Sequence, residues 1–531
     1  MSASSYPVRV VRTALGLVFL WAAFSTIVSA AEPTLDSWIR TESDVARERL
    51  LANVSPAGVA KGAVIASPSK QNPNYYFHWT RDAALTMNVI VTLSEQDQAQ
   101  RQKYREMLRQ YAAFSRANQL AALPGGSPEK FGPGEPKFSV DGVVETNWGR
   151  PQNDGPALRT ITLIRFAQGL LDEGDRAYVA TLYDGKLPTD SVIKADLEYV
   201  AHHWPDSDIE LWEEMRGHHF YARLVQHRAL LDGARFADQM GDGGAARFYR
   251  SEAKKLEPEI EKHWDANRVQ LVATREVEGN DFKPSQLDAC VVLAAIHTDS
   301  PCEPFFAPTD DRILATALKL SQTFREMYGV NKVRADAAGR ALQPAIGRYP
   351  EDKWDGYQRA DNTLGNPWFI NTAAMAELCY RAAISWAKAG KVPVTPLNIE
   401  FLKSAVASEG SMVTLAVGDL VPRDDPRFRR LINALCELGD GYLRRIQRHC
   451  DQTTGSLSEE LNRDTGIMQG AADLTWSYAA VLTAFQQRAI AKNEAQRLEP
   501  QPAPTGKARR SLLLRRFAER PRSPHFEVAA L

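Results

Sequence analysis

Two adjacent acids, Glu213 and Glu214, follow a tryptophan in the stretch Asp208-Ile-Glu-Leu-Trp-Glu-Glu-Met-Arg-Gly217, a combination capable of proton transfer. A carboxylic acid held against an indole is desolvated. A second carboxylate beside it further disfavours ionisation, so one of the two can stay protonated near neutral pH and serve as a general acid. The plainer alternative is a pair of solvated acids favoured by a nearby helix dipole. Pro205 and Gly217 punctuate the stretch, and Phe220, Leu224, His227, Leu231 and Ala234 then recur at three- and four-residue spacing until Gly241 and Gly243. That spacing predicts a helix from about Phe220 and puts the acids on the loop leading into it.

Other loops have the same character. Tyr75-Tyr-Phe-His-Trp-Thr-Arg-Asp82, Gly134-Glu-Pro-Lys-Phe-Ser-Val-Asp141, Asn147-Trp-Gly-Arg-Pro-Gln-Asn-Asp-Gly155, Gly347-Arg-Tyr-Pro-Glu-Asp352, Gly365-Asn-Pro-Trp-Phe369 and Gly455-Ser-Leu-Ser-Glu-Glu460 mix aromatic rings with Arg, Asp and Glu. Rings stack on the apolar faces of pyranoses and fixed charged groups bind their hydroxyls, so this mixture suits a sugar. No glycine-rich turn carries the Lys and Ser or Thr that a phosphate cradle needs.

The elements that must position these loops are helices. Apolar periodicity predicts them near Leu35 to Leu51, Ala83 to Leu93, Arg101 to Ala121, Pro156 to Glu173, Ile193 to His203, Phe220 to Gln239 and Ala245 to His263. Further ones follow near Gln286 to His297, Arg312 to Tyr328, Pro367 to Ala389, Asn398 to Ser408, Arg427 to His449 and Ala472 to Ala491, and strand signals are scarce. With no repeat at a solenoid period, an all-α closed double ring of helical hairpins is expected. Five long connections, Ser67 to Asp82, Pro124 to Gly155, Trp204 to Gly217, Pro344 to Trp368 and Gly455 to Gly470, would then gather at one end.

Lys plus Arg (64) and Asp plus Glu (65) nearly cancel over 531 residues, so overall charge points to neither nucleic acid nor anionic lipid. Arg9 and Arg12 precede the apolar run Ala14 to Ala23, and Val28-Ser-Ala30 offers small residues for cleavage, so residues 1–30 read as a signal peptide. An exported protein, periplasmic or extracellular, with no membrane anchor after cleavage is expected. Its five cysteines give no disulfide framework, although Cys290 and Cys302 could close one short loop. The catalytic domain is placed at 31–488. A tail at 489–531, with the Pro-containing segment Glu499 to Thr505 and then Arg509, Arg510, Arg515 and Arg516, reads as disordered or loosely attached.

Taken together in this order, the quoted stretches, with Gln226-His-Arg-Ala-Leu230 and Asp473-Leu-Thr-Trp-Ser-Tyr478, resemble the glucoamylases of glycoside hydrolase family 15 from Leu35 to about Phe485. The resemblance implies an (α/α)6 barrel and exo-acting, inverting hydrolysis of α-1,4-glucans such as starch and maltodextrins, by a monomer that uses no cofactor. It makes Glu213 the general acid and Glu459 the general base. It assigns to the substrate Tyr75, Trp79, Arg81, Asp82, Trp148, Leu211, Trp212, Glu214, Arg348 and Trp368. Inversion needs one protonated and one ionised carboxyl on opposite sides of the bond, which agrees with the residue chemistry. Activity on α-1,6-glucan or trehalose, and a catalytically silent glucan-binding protein, are the alternatives. Of these the silent protein is disfavoured, because mere binding needs neither acid.

Two positions depart from the family pattern. Glu460 follows the base where Gln is common, and Gly470-Ala471-Ala472-Asp473 stands where Ser-Ala-Arg-Asp is common, which removes a hydroxyl partner of the base. No carbohydrate-binding module follows the barrel, so avid binding to raw starch granules is not expected. The doublets His202-His203 and His218-His219 lack metalloprotease spacing, so no metal is assigned. The plainer alternative for Arg348 is an ion pair with Glu351 or Asp352.

Overall fold

The computed structural model describes residues 33–122, 131–280, 282–410 and 412–499. The expected signal segment and the chain beyond 499 lie outside the described residues. Fourteen helices occur among them: α1 (Leu35–Ala52), α2 (Thr80–Gln96), α3 (Arg101–Leu120), α4 (Asp154–Asp172), α5 (Arg176–Leu182), α6 (Val192–His203), α7 (Phe220–Gln239), α8 (Gly243–Glu261), α9 (Cys290–His297), α10 (Asp311–Met327), α11 (Phe369–Ala389), α12 (Ile399–Glu409), α13 (Pro426–His449) and α14 (Thr475–Gln496). Helices α2, α4, α7, α9, α11 and α14 each pack on the next, and α14 returns to α2, closing an inner ring. Around it α1, α3, α6, α8, α10 and α13 form the outer ring of an (α/α)6 barrel, with α5 and α12 as additions.

Sequence explains which helices go where. Cys290-Val-Val-Leu-Ala-Ala-Ile296 of α9 is apolar all round and entirely buried, as a helix walled in on every side must be. By contrast α8 buries only one stripe, including Ala246, Tyr249, Ala253, Leu256 and Ile260, and turns Lys254 and Lys255 outward.

The inner helices start without side-chain caps. Their leading amides are instead satisfied by the loops around the same end, in cyclic order. Thr80 N–H donates to Pro136 O, Asn153 N–H to Asp208 Oδ2, Phe220 N–H to Ala273 O, Ala289 N–H to Arg348 O, and Thr475 N–H to Ala66 O. Trp368 at the head of α11 bridges to Glu460, and Leu461 N–H donates to Pro367 O. Each loop preceding an inner helix is thereby fastened to the start of a neighbouring one, so six loops, not five, share one mouth. The sixth, 262–289, leads into α9.

Several expectations shift. Gln286 lies at φ 52° and Asp288 takes the Cys290 amide at 2.8 Å, so α9 begins at Cys290 and not at Gln286. Helix α5 was not foreseen, and short hairpins are commoner than the sequence suggests, among them Ser458–Leu461 paired with Met468–Ala472. The last helix runs to Gln496, past the boundary at 488, burying Ala491 and Ala495 and setting Lys492 Nζ 3.1 Å from Asp440. Cys290 is a buried free thiol and Cys302 an exposed one, so the two are not paired.

Candidate active site

Glu213 stands at a tight turn, its amide donating to Glu210 O at 2.8 Å and its own φ at 67°. A left-handed glutamate is unusual, and such residues cluster where a side chain must be aimed. Its Oε1 receives Trp79 Nε1 at 2.8 Å, Gln152 Nε2 at 3.0 Å and Arg81 Nη2 at 3.5 Å, while Oε2 takes none of these bonds. The indole against Glu213 is therefore that of Trp79. The indole of its sequence neighbour Trp212 donates instead to Asp288 Oδ1 at 2.8 Å.

Glu214 turns away from Glu213. Oε1 meets Arg348 Nη2 at 3.0 Å and Arg359 Nη1 at 3.1 Å, and Oε2 accepts from the Tyr349 hydroxyl and lies 3.8 Å from Lys283 Nζ. Burial works against its charge, but Arg348, Lys283, Arg359 and Tyr349 outweigh it and hold the carboxyl below its ordinary value. The two acids thus take separate partners, Glu214 the cations and Tyr349, Glu213 the groups Trp79, Gln152 and Arg81. Arg348 is clamped by both Asp352 oxygens, at 2.6 and 2.8 Å. Glu351 bonds Ser285 instead.

Glu459 is fully buried on the 458–461 strand. Its Oε1 accepts the Tyr75 hydroxyl at 2.9 Å and its Oε2 the Ala471 amide at 3.2 Å. Burial pushes its carboxyl up to about 7 against the pull of these donors and of Arg348. Glu460, equally buried, is driven well higher by burial and then by the charge of Glu459. The proton of this pair therefore belongs on Glu460, which takes Asn366 Nδ2 at 2.8 Å. Tyr75 and Trp79 come from one short segment and their rings meet edge-on at 5.5 Å. That segment hands one donor to Glu213 and another to Glu459.

Arg81 is buried between Asp154 (2.9 Å), Gln152 (2.9 Å) and Asp82 (3.6 Å). Burial, with Glu213 and Asp154 nearby, raises the Asp82 carboxyl to about 7 despite Arg81. Trp148 packs edge-on to Trp79 at 5.7 Å, and Trp212 lies 5.5 Å from Trp368. Leu211 is buried in the core beside the turn. All the sequence-assigned positions except Leu211 thus join one connected set of hydrogen bonds, ion contacts and ring contacts.

The sequence profile described as Glycosyl hydrolases family 15 matches residues 44–486. A glucoamylase of Blastobotrys adeninivorans is 37% identical over 87% of this chain and 73% of the relative, and Glucoamylase 1 of Rhizopus oryzae is 36% identical over 86% and 71%. The chain belongs to glycoside hydrolase family 15. Among solved structures, the Saccharomycopsis fibuligera glucoamylase superposes with a TM-score of 0.76 at 28% identity, covering 87% of this chain and 96% of that one. The family 15 glucoamylase of Hypocrea jecorina gives 0.74 at 35% identity, covering 86% and 72%.

Within this family 15 site, sequence reasoning passed over several residues. Lys283 binds Glu210 at 2.6 Å and lies 3.5 Å from Asp288, beneath Glu214, and Gln152 and Asp154 fix Arg81. Lys137 Nζ lies 3.5 Å over the Trp148 ring and 4.3 Å over those of Phe77 and Trp79, and burial lowers its ammonium to about 8 against Glu213 and Glu145. In its stretch the aromatic and acidic neighbours of Lys137 carry the sequence signal, and the lysine itself gives none. At Gly470, φ is 76° and an added Cβ would come 2.5 Å from Glu459 Oε2, the oxygen that accepts the backbone amide of Ala471 at 3.2 Å. The histidine doublets are dispersed: His203 faces Asp206, His218 faces Glu276, and His219 bonds Thr274. A separate cavity of about 1070 Å³ contains none of these site residues and lies between inner-ring helices, walled by residues such as Val89, Ile161, Phe236 and Trp476.

Proposed function

We propose that the protein is an exo-acting, inverting α-1,4-glucosidase that releases β-D-glucose from the non-reducing ends of starch-like glucans, with Glu213 as general acid and Glu459 as general base. The observation that carries this reading is the pair of acids on separate loops, each given a donor by the Tyr75–Trp79 segment and each in a different environment. Glu213 delivers a proton to the glycosidic oxygen as the bond to the anomeric carbon breaks. Glu459 takes a proton from a water molecule that attacks that carbon from the opposite face, forming the β-hemiacetal. These steps use only side chains of this chain and water.

Arg81, Asp82 and Arg348 are proposed to hold the hydroxyls of the terminal glucose, with Glu214, Leu211 and the rings of Tyr75, Trp79, Trp148, Trp212 and Trp368 completing the pocket. The α-1,4 preference is supported by the glucoamylases at 36–37% identity. Export is proposed from the basic and apolar pattern of residues 1–30, and among the described residues no helix is long and apolar enough to cross a membrane. Side-by-side hydrolysis of maltotriose, isomaltotriose and trehalose tests the linkage. Maltotriose should be cleaved fastest, and preference for either of the others would overturn the assignment.

A further inference from the structure

The segment between Asp352 and Asn366 closes on itself at the edge of this site. Gly365 N–H donates to Asp352 O at 2.7 Å, the Thr363 hydroxyl donates to Lys353 O at 2.6 Å, and Trp354 bridges Arg359 around a turn whose Tyr357 and Gln358 amides both donate to Asp355 Oδ1. Its underside is fixed to the hairpin that carries Glu459. Gly356, at φ 91°, sits so close to Gly470 that an added Cβ would meet its Cα at 2.8 Å, and Gln469 donates to Asp355 O. The tip is open, with Tyr357 51% exposed.

From this tip Arg359 reaches inward to Glu214 Oε1 at 3.1 Å, with its guanidinium 4.1 Å above the Phe282 ring. Three cations share Glu214, and their side-chain exposures grade from 1% for Lys283 through 5% for Arg348 to 32% for Arg359. The inner two are also tied to other acids, Lys283 to Glu210 and Arg348 to Asp352, each at 2.6 Å. In a pocket that takes a chain end, depth orders the sugars: the terminal residue lies innermost and the leaving residue meets the solvent-side groups.

We propose that Arg359 is a specificity-determining residue that binds hydroxyls of the sugar on the leaving side of the scissile bond. This rests on the exo-glucosidase reading given above. A guanidinium already oriented by a carboxylate and an aromatic face gives up little freedom when it donates to a sugar, and its planar fork can engage two hydroxyls at once. A lysine there would offer only a point charge.

The test compares the full chain with its Arg359→Ala and Arg359→Lys variants on maltose, maltotriose and p-nitrophenyl α-glucoside, whose leaving group is not a sugar. In Arg359→Ala the ratio of kcat/KM on maltose to that on p-nitrophenyl α-glucoside should fall about tenfold, as expected for a hydrogen bond from a charged group. The fall should lie in KM rather than kcat, and Arg359→Lys should recover part of it. An unchanged ratio, whether through equal losses or through none, would overturn the assignment. A wild-type protein inactive on all three substrates would instead overturn the glucosidase reading beneath it.

Discussion

Glu459 and Glu460 are consecutive and fully buried, so charging both is prohibitive, and the placement of their proton distinguishes the proposed base, Glu459, from its neighbour. Glu459→Gln and Glu213→Gln should each lower kcat by about 10²–10⁴-fold while ligand affinity, read by calorimetry, is largely retained. Glu460→Gln should stay within a few-fold of wild type, because an amide reproduces the neutral acid that accepts from Asn366; a collapse of activity there would name the wrong base. Since a general base works only when ionised and burial raises the Glu459 carboxyl toward about 7, with Glu459 as the proposed base kcat/KM should fall as pH drops through a limb above the ordinary carboxylate range. Tyr75 donates to the ionised form, so Tyr75→Phe should move that limb to higher pH, and a shift to lower pH would contradict the assignment. Gly470→Ala forces a methyl group against Glu459 Oε2, and a pH–rate profile left untouched by it would mean that the oxygen is not held there.

At the scale of elements, the chemistry depends on how the mouth loops are fastened to the inner helices. Trp79→Phe removes one of the donors to Glu213 Oε1 while leaving the 75–79 segment in place. It should lower kcat/KM about tenfold without moving the Glu459 limb; a moved limb would show that the segment itself had shifted. Helical periodicity revealed nearly every barrel helix because each buries a face, and five of the six mouth loops stood out by their aromatic and acidic clusters. The loop 262–289 stayed hidden because Lys283 and Asp288 lie in an ordinary polar stretch and also take partners from a distant segment, Glu210 for Lys283 and Trp212, 76 residues away, for Asp288. The same limit misplaced the indole beside Glu213. Glu213 is adjacent to Trp212 in sequence, yet it is touched by Trp79, 134 residues away. The turn to Arg348 taken by Glu214 likewise follows from the left-handed backbone at Glu213, which residue order alone does not announce.

For the whole molecule, the barrel closes where α14 returns to α2, and α14 itself runs on past residue 488 to Gln496. A chain ending at Arg488 loses buried Ala491 and Ala495 and the Lys492 contact with Asp440, and should melt several degrees below one ending at Glu499; equal melting temperatures would show that the last turns of α14 contribute nothing. Whether two carboxyls act on opposite faces of a terminal α-glucoside with water between is decided by the anomer first released. Proton NMR of a fresh maltooligosaccharide digest, followed before mutarotation, should show β-glucose appearing first with no early ladder of shorter oligosaccharides, whereas initial α-glucose would contradict inversion by Glu213 and Glu459.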